Sequence, residues 1–213
     1  RTGHSLSPTG GKGDDKVPPS GGFRGAEPGG TVETEKKVIY LTFDDGPVAG
    51  VTEWVLQLLK QYNAKATFFC VGKNVEKHPD IFQQIILQRH SVGNHTYHHL
   101  NGWKTPVKKY LADVEKCAAL VYSKLFRPPY GTLRPSQYSI INKQYSIIMW
   151  DVISGDFDQK LSKQRCLAKC IHYTTNGTII GFHDSYKAEK NLQYVLHGYL
   201  KHFASEGYRF EAL

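Results

Sequence analysis

From Lys36 onward, short apolar runs alternate with segments whose large apolar residues recur every three or four positions. The runs read as strands and the periodic segments as helices. Val38–Phe43 is apolar, β-branched or aromatic at consecutive rather than alternate positions, as expected of a strand covered on both faces. Val51, Trp54, Val55, Leu58 and Leu59 then repeat with helical spacing, and Ala66–Val71 is the next strand. A helix beyond Asn74, carrying Ile81, Phe82, Ile85 and Ile86, leads to a short extended piece at Ser91–Gly93. Pro106 suits the first turn of a helix that presents Tyr110, Leu111, Val114 and Ala118 on one face. Further strands are expected at Leu125–Phe126, Ser146–Trp150, Thr178–Phe182 and Tyr208–Leu213, with helices over Ser162–Tyr173 and Leu192–Phe203.

Strands alternating with helices predict an α/β fold with a mostly parallel sheet. Residues 36–213 are few for a full eightfold barrel of about 250 residues. The expected architecture is therefore a distorted, shortened (β/α) barrel. Residues 1–35 break the pattern: they hold 9 of the 20 glycines and 4 of the 10 prolines and very few large apolar side chains. They read as a linker, a tail or an expression remnant preceding one domain at 36–213.

Composition changes this picture little. The net charge of +8 is scattered in pairs such as Lys36-Lys37 and Lys108-Lys109, with no basic helix face interleaved with aromatics, which argues against a nucleic-acid module. No apolar run is long enough for a transmembrane segment, and a monomer is expected. The start lacks a signal-peptide pattern, although a chain opening at Arg1 reads as processed or truncated. Cys70, Cys117, Cys166 and Cys170 do not make a disulfide framework in a chain this long. Cys70 reads as core, and Cys166 and Cys170 stand one helical turn apart, poorly placed to bond to each other.

In parallel α/β folds, chemistry gathers where strands end at their carboxyl side. Reactive side chains fall at those places: Asp44-Asp45 after the first strand, His95, His98 and His99 after the third, Arg127 and Tyr130 after the fourth, Asp156 after the fifth, His183-Asp184 after the sixth. Adjacent residues of an extended chain point to opposite sides, so Asp44 and Asp45 can share a site only with different jobs. His95 and His99, four apart, are expected on one face of a helical turn. With one Asp from another strand they make a two-His-one-carboxylate set that leaves coordination positions open, the mark of catalytic rather than structural metal binding. His98 points elsewhere on that turn.

The stretches TFDDGP at Thr42–Pro47, HTYHH at His95–His99, RPPYG at Arg127–Gly131 and FHD at Phe182–Asp184 resemble the polysaccharide deacetylases, the NodB-homology domain of carbohydrate esterase family 4. The resemblance runs from Lys36 to Leu213 with the motifs in the family's order. It implies metal-dependent removal of acetyl groups from an N-acetylated glycan outside the cytoplasm or at the cell envelope. By motif, Asp44 would be the general base, and Asp45, His95 and His99 the ligands of one divalent cation, zinc first, with cobalt, manganese or nickel as alternatives. Arg127 would orient the carboxylates, the Tyr130 backbone N–H would hold the oxyanion, and His183 would be the general acid with Asp156 as its partner.

Two motifs depart from the family pattern. The fifth-strand motif usually reads D-x-x-D-W, and here Ile153-Ser154-Gly155-Asp156-Phe157 lacks the first Asp and has Phe for Trp. Two residues before His183 the family usually has Leu, and here stands Gly181. Phe157, Gly181 and Tyr130 would line the substrate pocket, with the volume at Gly181 left open or filled by a neighbour such as Phe157. A metal- and sugar-binding protein without turnover, or an amidase for a small non-sugar amide, are the competing readings.

Overall fold

A computed structural model describes residues 37–213, so the linker reading of 1–35 lies outside the described residues. Eight strands are present: β1 Val38–Asp44, β2 Thr67–Cys70, β3 Ser91–Asn94, β4 Leu125–Phe126, β5 Ser146–Ile147, β6 Val152–Ile153, β7 Ile179–His183 and β8 Arg209–Glu211. Seven helices lie between them: α1 Val51–Gln61, α2 Gly72–Lys77, α3 Pro79–Leu87, α4 Val107–Ala118, α5 Pro135–Ile141, α6 Lys163–Tyr173 and α7 Glu189–Ser205. The strands form one sheet in the order β5-β4-β3-β2-β1-β7-β6, with β8 added beside β1. Every pairing is parallel, as the alternation required. Among the described residues β5 and β6 do not pair, so the barrel stays open between them.

The two faces of β1 explain its unbroken apolar text. Phe43 stacks between Phe68 of β2 and Phe182 of β7, at ring separations of 5.0 and 5.6 Å. That outer face joins Val55, Leu59, Leu192, Leu196 and Tyr199 of α1 and α7 in the main core. Thr42 and Asp44, of opposite parity, turn inward and are equally buried.

Three sequence expectations change. The helix carrying Ile81, Phe82, Ile85 and Ile86 begins at Pro79 as α3, and a separate short helix, α2, precedes it, because Pro79 cannot continue the chain of backbone hydrogen bonds. The α5 helix was not anticipated from the spacing of its apolar residues. The strand expected at Ser146–Trp150 stops at Ile147 as β5, and β6 follows at Val152–Ile153 on the opposite rim of the opening. Between them the carbonyls of Ile148 and Met149 accept from Nε and Nη2 of Arg127, at 3.0 and 2.9 Å. A guanidinium thus takes the place of a missing strand at the seam, satisfying carbonyls that a closed sheet would pair.

Candidate active site

The carboxyl ends of β1, β3, β4, β6 and β7 bring together the expected side chains. Arg127 is fully buried and organises this end. Its Nη1 donates to Asp44 Oδ1 at 2.9 Å and to Thr42 Oγ1 at 2.7 Å, and its plane lies 4.2 Å over the Phe69 ring. Asp44, 3% exposed, is therefore a buried carboxylate with a buried cation as its partner.

Asp45 leaves β1 in another direction. Its φ of 85° turns the chain out of the strand, and its carboxylate meets His95 and His99. Oδ1 lies 3.6 Å from His95 Nε2 and 3.1 Å from His99 Nε2. Burial raises the Asp45 carboxyl, and only protons on the facing imidazole nitrogens of His95 and His99, or a cation in their place, hold it below the usual carboxylate range. The two histidines do not share a helical turn, as their spacing suggested. Residues 95–100 form no helix, and Thr96 and His99 have φ of 61° and 56°. Left-handed backbone, not helical periodicity, turns both rings to one place. Asp113 of α4 holds this loop: its Oδ2 accepts the N–H of Tyr97 and of His98, at 2.9 and 2.8 Å, and Oδ1 sits 2.6 Å from His98 Nδ1. His98 is accordingly turned away from the other two.

The donor set suits a divalent cation. His95 Nδ1 lies 2.6 Å from the carbonyl oxygen of Arg127, which can only accept, so the ring proton sits on Nδ1 and the Nε2 lone pair faces Asp45. The ligand atoms of Asp45, His95 and His99 lie within 4.8 Å of one another. Two imidazole nitrogens and a carboxylate oxygen so gathered repel each other unless a positive charge stands between them.

On the opposite wall, His183 Nδ1 lies 2.8 Å from Asp156 Oδ1. Burial works against a charged ring, but the Asp156 carboxylate, aided by Asp44 and Asp45, pushes the His183 pKa up to about 9. Phe157 meets the His183 ring edge-on at 4.8 Å, and Tyr130, 63% exposed, lies against His99 at 4.7 Å. Tyr130 has φ of 60°, and among the described residues its backbone N–H has no hydrogen-bond partner.

The volume at Gly181 is not open, and Phe157 does not fill it. A Cβ placed on Gly181 would lie 2.9 Å from Cδ1 of Ile153, its register partner on β6. The two departures from the family pattern thus meet in space.

Asp184 is the main residue whose role the sequence did not disclose. It is fully buried; Oδ1 accepts the Gly46 N–H at 3.0 Å and Oδ2 the Thr52 hydroxyl at 2.7 Å. It fixes the turn that carries Asp45, and a Cβ on Gly46 would overlap its carboxylate. Its place beside His183 in the FHD stretch was the available signal. For Asp113, the signal was a carboxylate on the apolar face of α4 between Tyr110 and Val114.

The polysaccharide deacetylase family profile matches residues 31–145, more than half of the chain. This chain belongs to the polysaccharide deacetylase family. It is 39% identical over 129 residues to a peptidoglycan-N-acetylglucosamine deacetylase of Bacillus cereus, a match covering 57% of this chain and 47% of that protein. A second Bacillus cereus protein of the same name is 30% identical over 186 residues, covering 84% and 87%. This chain therefore spans about half the length of the first relative and most of the second. Among solved structures, peptidoglycan deacetylase PdaC from Bacillus subtilis superposes with a TM-score of 0.76 at 27% identity, covering 84% of this chain and 89% of that one.

Proposed function

We propose that this deacetylase-family chain hydrolyses the N-acetyl groups of a glycan, releasing acetate, in a reaction that depends on one divalent metal ion. The observation that carries this reading is the division between two adjacent carboxylates: Asp45 joins the His95–His99 donor set, while Asp44 stays outside it, held by Arg127. A general base must keep a free lone pair, which a carboxylate committed to a cation lacks.

The cation held by Asp45, His95 and His99, with zinc best suited to that donor set, would polarise the acetyl carbonyl and make water more acidic. The bond from Arg127 engages Asp44 Oδ1, leaving Oδ2 to take a proton from the attacking water. Water oxygen bonds to the carbonyl carbon, and the oxygen that gains charge receives the unpaired Tyr130 N–H. His183, protonated at neutral pH, delivers its Nε2 proton to the departing amine as the C–N bond breaks. Asp156 holds the ring by Nδ1, so that Nε2 is the atom turned to substrate.

Relatives named peptidoglycan deacetylases put peptidoglycan first among the candidate glycans, ahead of chitin oligomers and N-acetylated exopolysaccharides, with xylan, whose acetyl groups are esters, as the contrast, and favour an extracytoplasmic or envelope setting. No helix among the described residues is long and apolar enough to cross a membrane. A screen of these four glycans for acetate release, with and without chelator, tests the reading. Release from an N-acetylated glycan that stops with chelator and returns with metal is expected. Glycan binding without release identifies a binding protein instead, and release from small amides alone identifies a different amidase.

A further inference from the structure

The seam between β6 and β7 holds a pair of residues whose meaning lies in their contact. Ile153 and Gly181 are direct register partners. Around them, Val152 and Phe182 are buried in the outer core, so Ile153, Gly181 and His183 share the inner face. A side chain starting at Gly181 would have Ile153 Cδ1 at 2.9 Å, and Thr42 Oγ1 and Arg127 Nη1 at 3.9 Å. The same Arg127 nitrogen binds Asp44. The δ-methyl of Ile153 therefore occupies inner-face volume that a Gly181 side chain would take, level with Thr42 and two residues before the proposed base, and it enters from β6 instead of β7. Ile153 is also partly exposed, while Val152 and Ser154 on either side of it are buried.

We propose that Ile153 is the specificity-determining residue for the acyl group, closing the end of the site where the acyl chain must fit. Ile153 supplies from β6 the bulk that Gly181 omits on β7, so the site is reshaped without being widened. The inference rests on the deacylation reading above, and adds to it the residue that limits acyl length. An isoleucine methyl excludes an added methylene by contact, an effect worth about tenfold or more in kcat/KM for each methylene.

The test compares the parent protein with Ile153→Ala, Ile153→Val, Gly181→Leu and the Ile153→Ala/Gly181→Leu double variant. The measurement is kcat/KM for an N-acetyl glycan oligomer and its N-propionyl analogue, together with thermal unfolding of each protein. The parent should favour acetyl, and Ile153→Ala should narrow that preference by about tenfold. Ile153→Val, a small change that keeps the fold, should narrow it in the same direction by less. Gly181→Leu should lower Tm by crowding Ile153, and the double variant should recover both Tm and the preference for acetyl. An unchanged acetyl-to-propionyl ratio in folded Ile153→Ala and Ile153→Val overturns the proposal while leaving the deacetylase reading intact. A metal-loaded parent inactive on every glycan overturns the deacetylase reading itself, and this inference with it.

Discussion

Asp156 holds His183 by both carboxylate oxygens: Oδ1 lies 2.8 Å from the ring Nδ1, and Oδ2 accepts the His183 backbone N–H at 2.9 Å. One side chain thus fixes where the imidazole stands and which nitrogen carries the outward proton. It also outweighs the burial that would discharge the ring, raising its pKa from the usual 6.5 to about 9.

That relationship predicts the alkaline limit of the reaction. Activity requiring protonated His183 should fall as pH rises through about 9. In Asp156→Asn the nearest charge is gone and only Asp44 and Asp45 still oppose burial, so the limb of kcat/KM should move toward acid. A pH profile of both proteins checks this; an unmoved limb means that His183 is not the acid. The linked stability has the same sign. A raised histidine pKa contributes fully below 6.5 and is lost as pH climbs through about 9, so the parent should lose its stability advantage over Asp156→Asn in that window.

Arg127 should be indispensable to fold and site alike. Arg127→Met leaves Asp44 as an uncompensated buried charge and frees the carbonyls of Ile148 and Met149 at the seam. A loss of about 3–5 kcal/mol in urea unfolding is expected. Arg127→Lys should recover little, because a point charge cannot meet Thr42, Asp44 and two carbonyls at once.

Gly46→Ala should damage the turn that carries Asp45. The added methyl overlaps the Asp184 carboxylate, which is already fixed by Thr52. Overpacking at such a site costs about 1–3 kcal/mol. Bound metal, read by mass spectrometry, should fall along with stability. Parent-like stability and metal content together would contradict the assigned role of Asp184.

A different histidine should govern acid stability. His90 is buried, and its Nδ1 accepts the Ala66 N–H at 3.2 Å, which requires a lone pair there. Burial first, then the nearby Lys65 charge, hold its pKa down to about 4. The unfolded chain therefore takes up a proton near pH 6.5 that the folded chain refuses until about 4, and stability should fall as pH drops across that window. His90→Gln keeps an acceptor for Ala66 and cannot titrate, so urea midpoints between pH 7 and 4 should show a flatter slope.

The parallel sheet, the order of its elements and the residues at its strand ends were legible because each depends on local text. Val38–Phe43 could only be a buried strand, and polar groups after apolar runs marked the end of the sheet where the candidate site gathers. What escaped depends on contacts across the sheet. His95 and His99 are brought together by left-handed backbone at Thr96 and His99, of which four-residue spacing says nothing. The break after Ile147 follows from an Arg127 guanidinium that no periodicity reports. Likewise, the sequence leaves the volume at Gly181 either open or filled by Phe157, and the side chain against it is Ile153, 28 positions earlier.

The central claim is that two neighbouring carboxylates do different work, and one paired measurement addresses it: metal content and acetate release in the same samples of parent, Asp44→Asn and Asp45→Asn. Asp44→Asn should keep its metal near the parent level and lose turnover by about a hundredfold or more, as expected when a general base is removed. Asp45→Asn should lose both metal and turnover. Equal metal loss in the two variants, or turnover surviving in Asp44→Asn, would contradict the account.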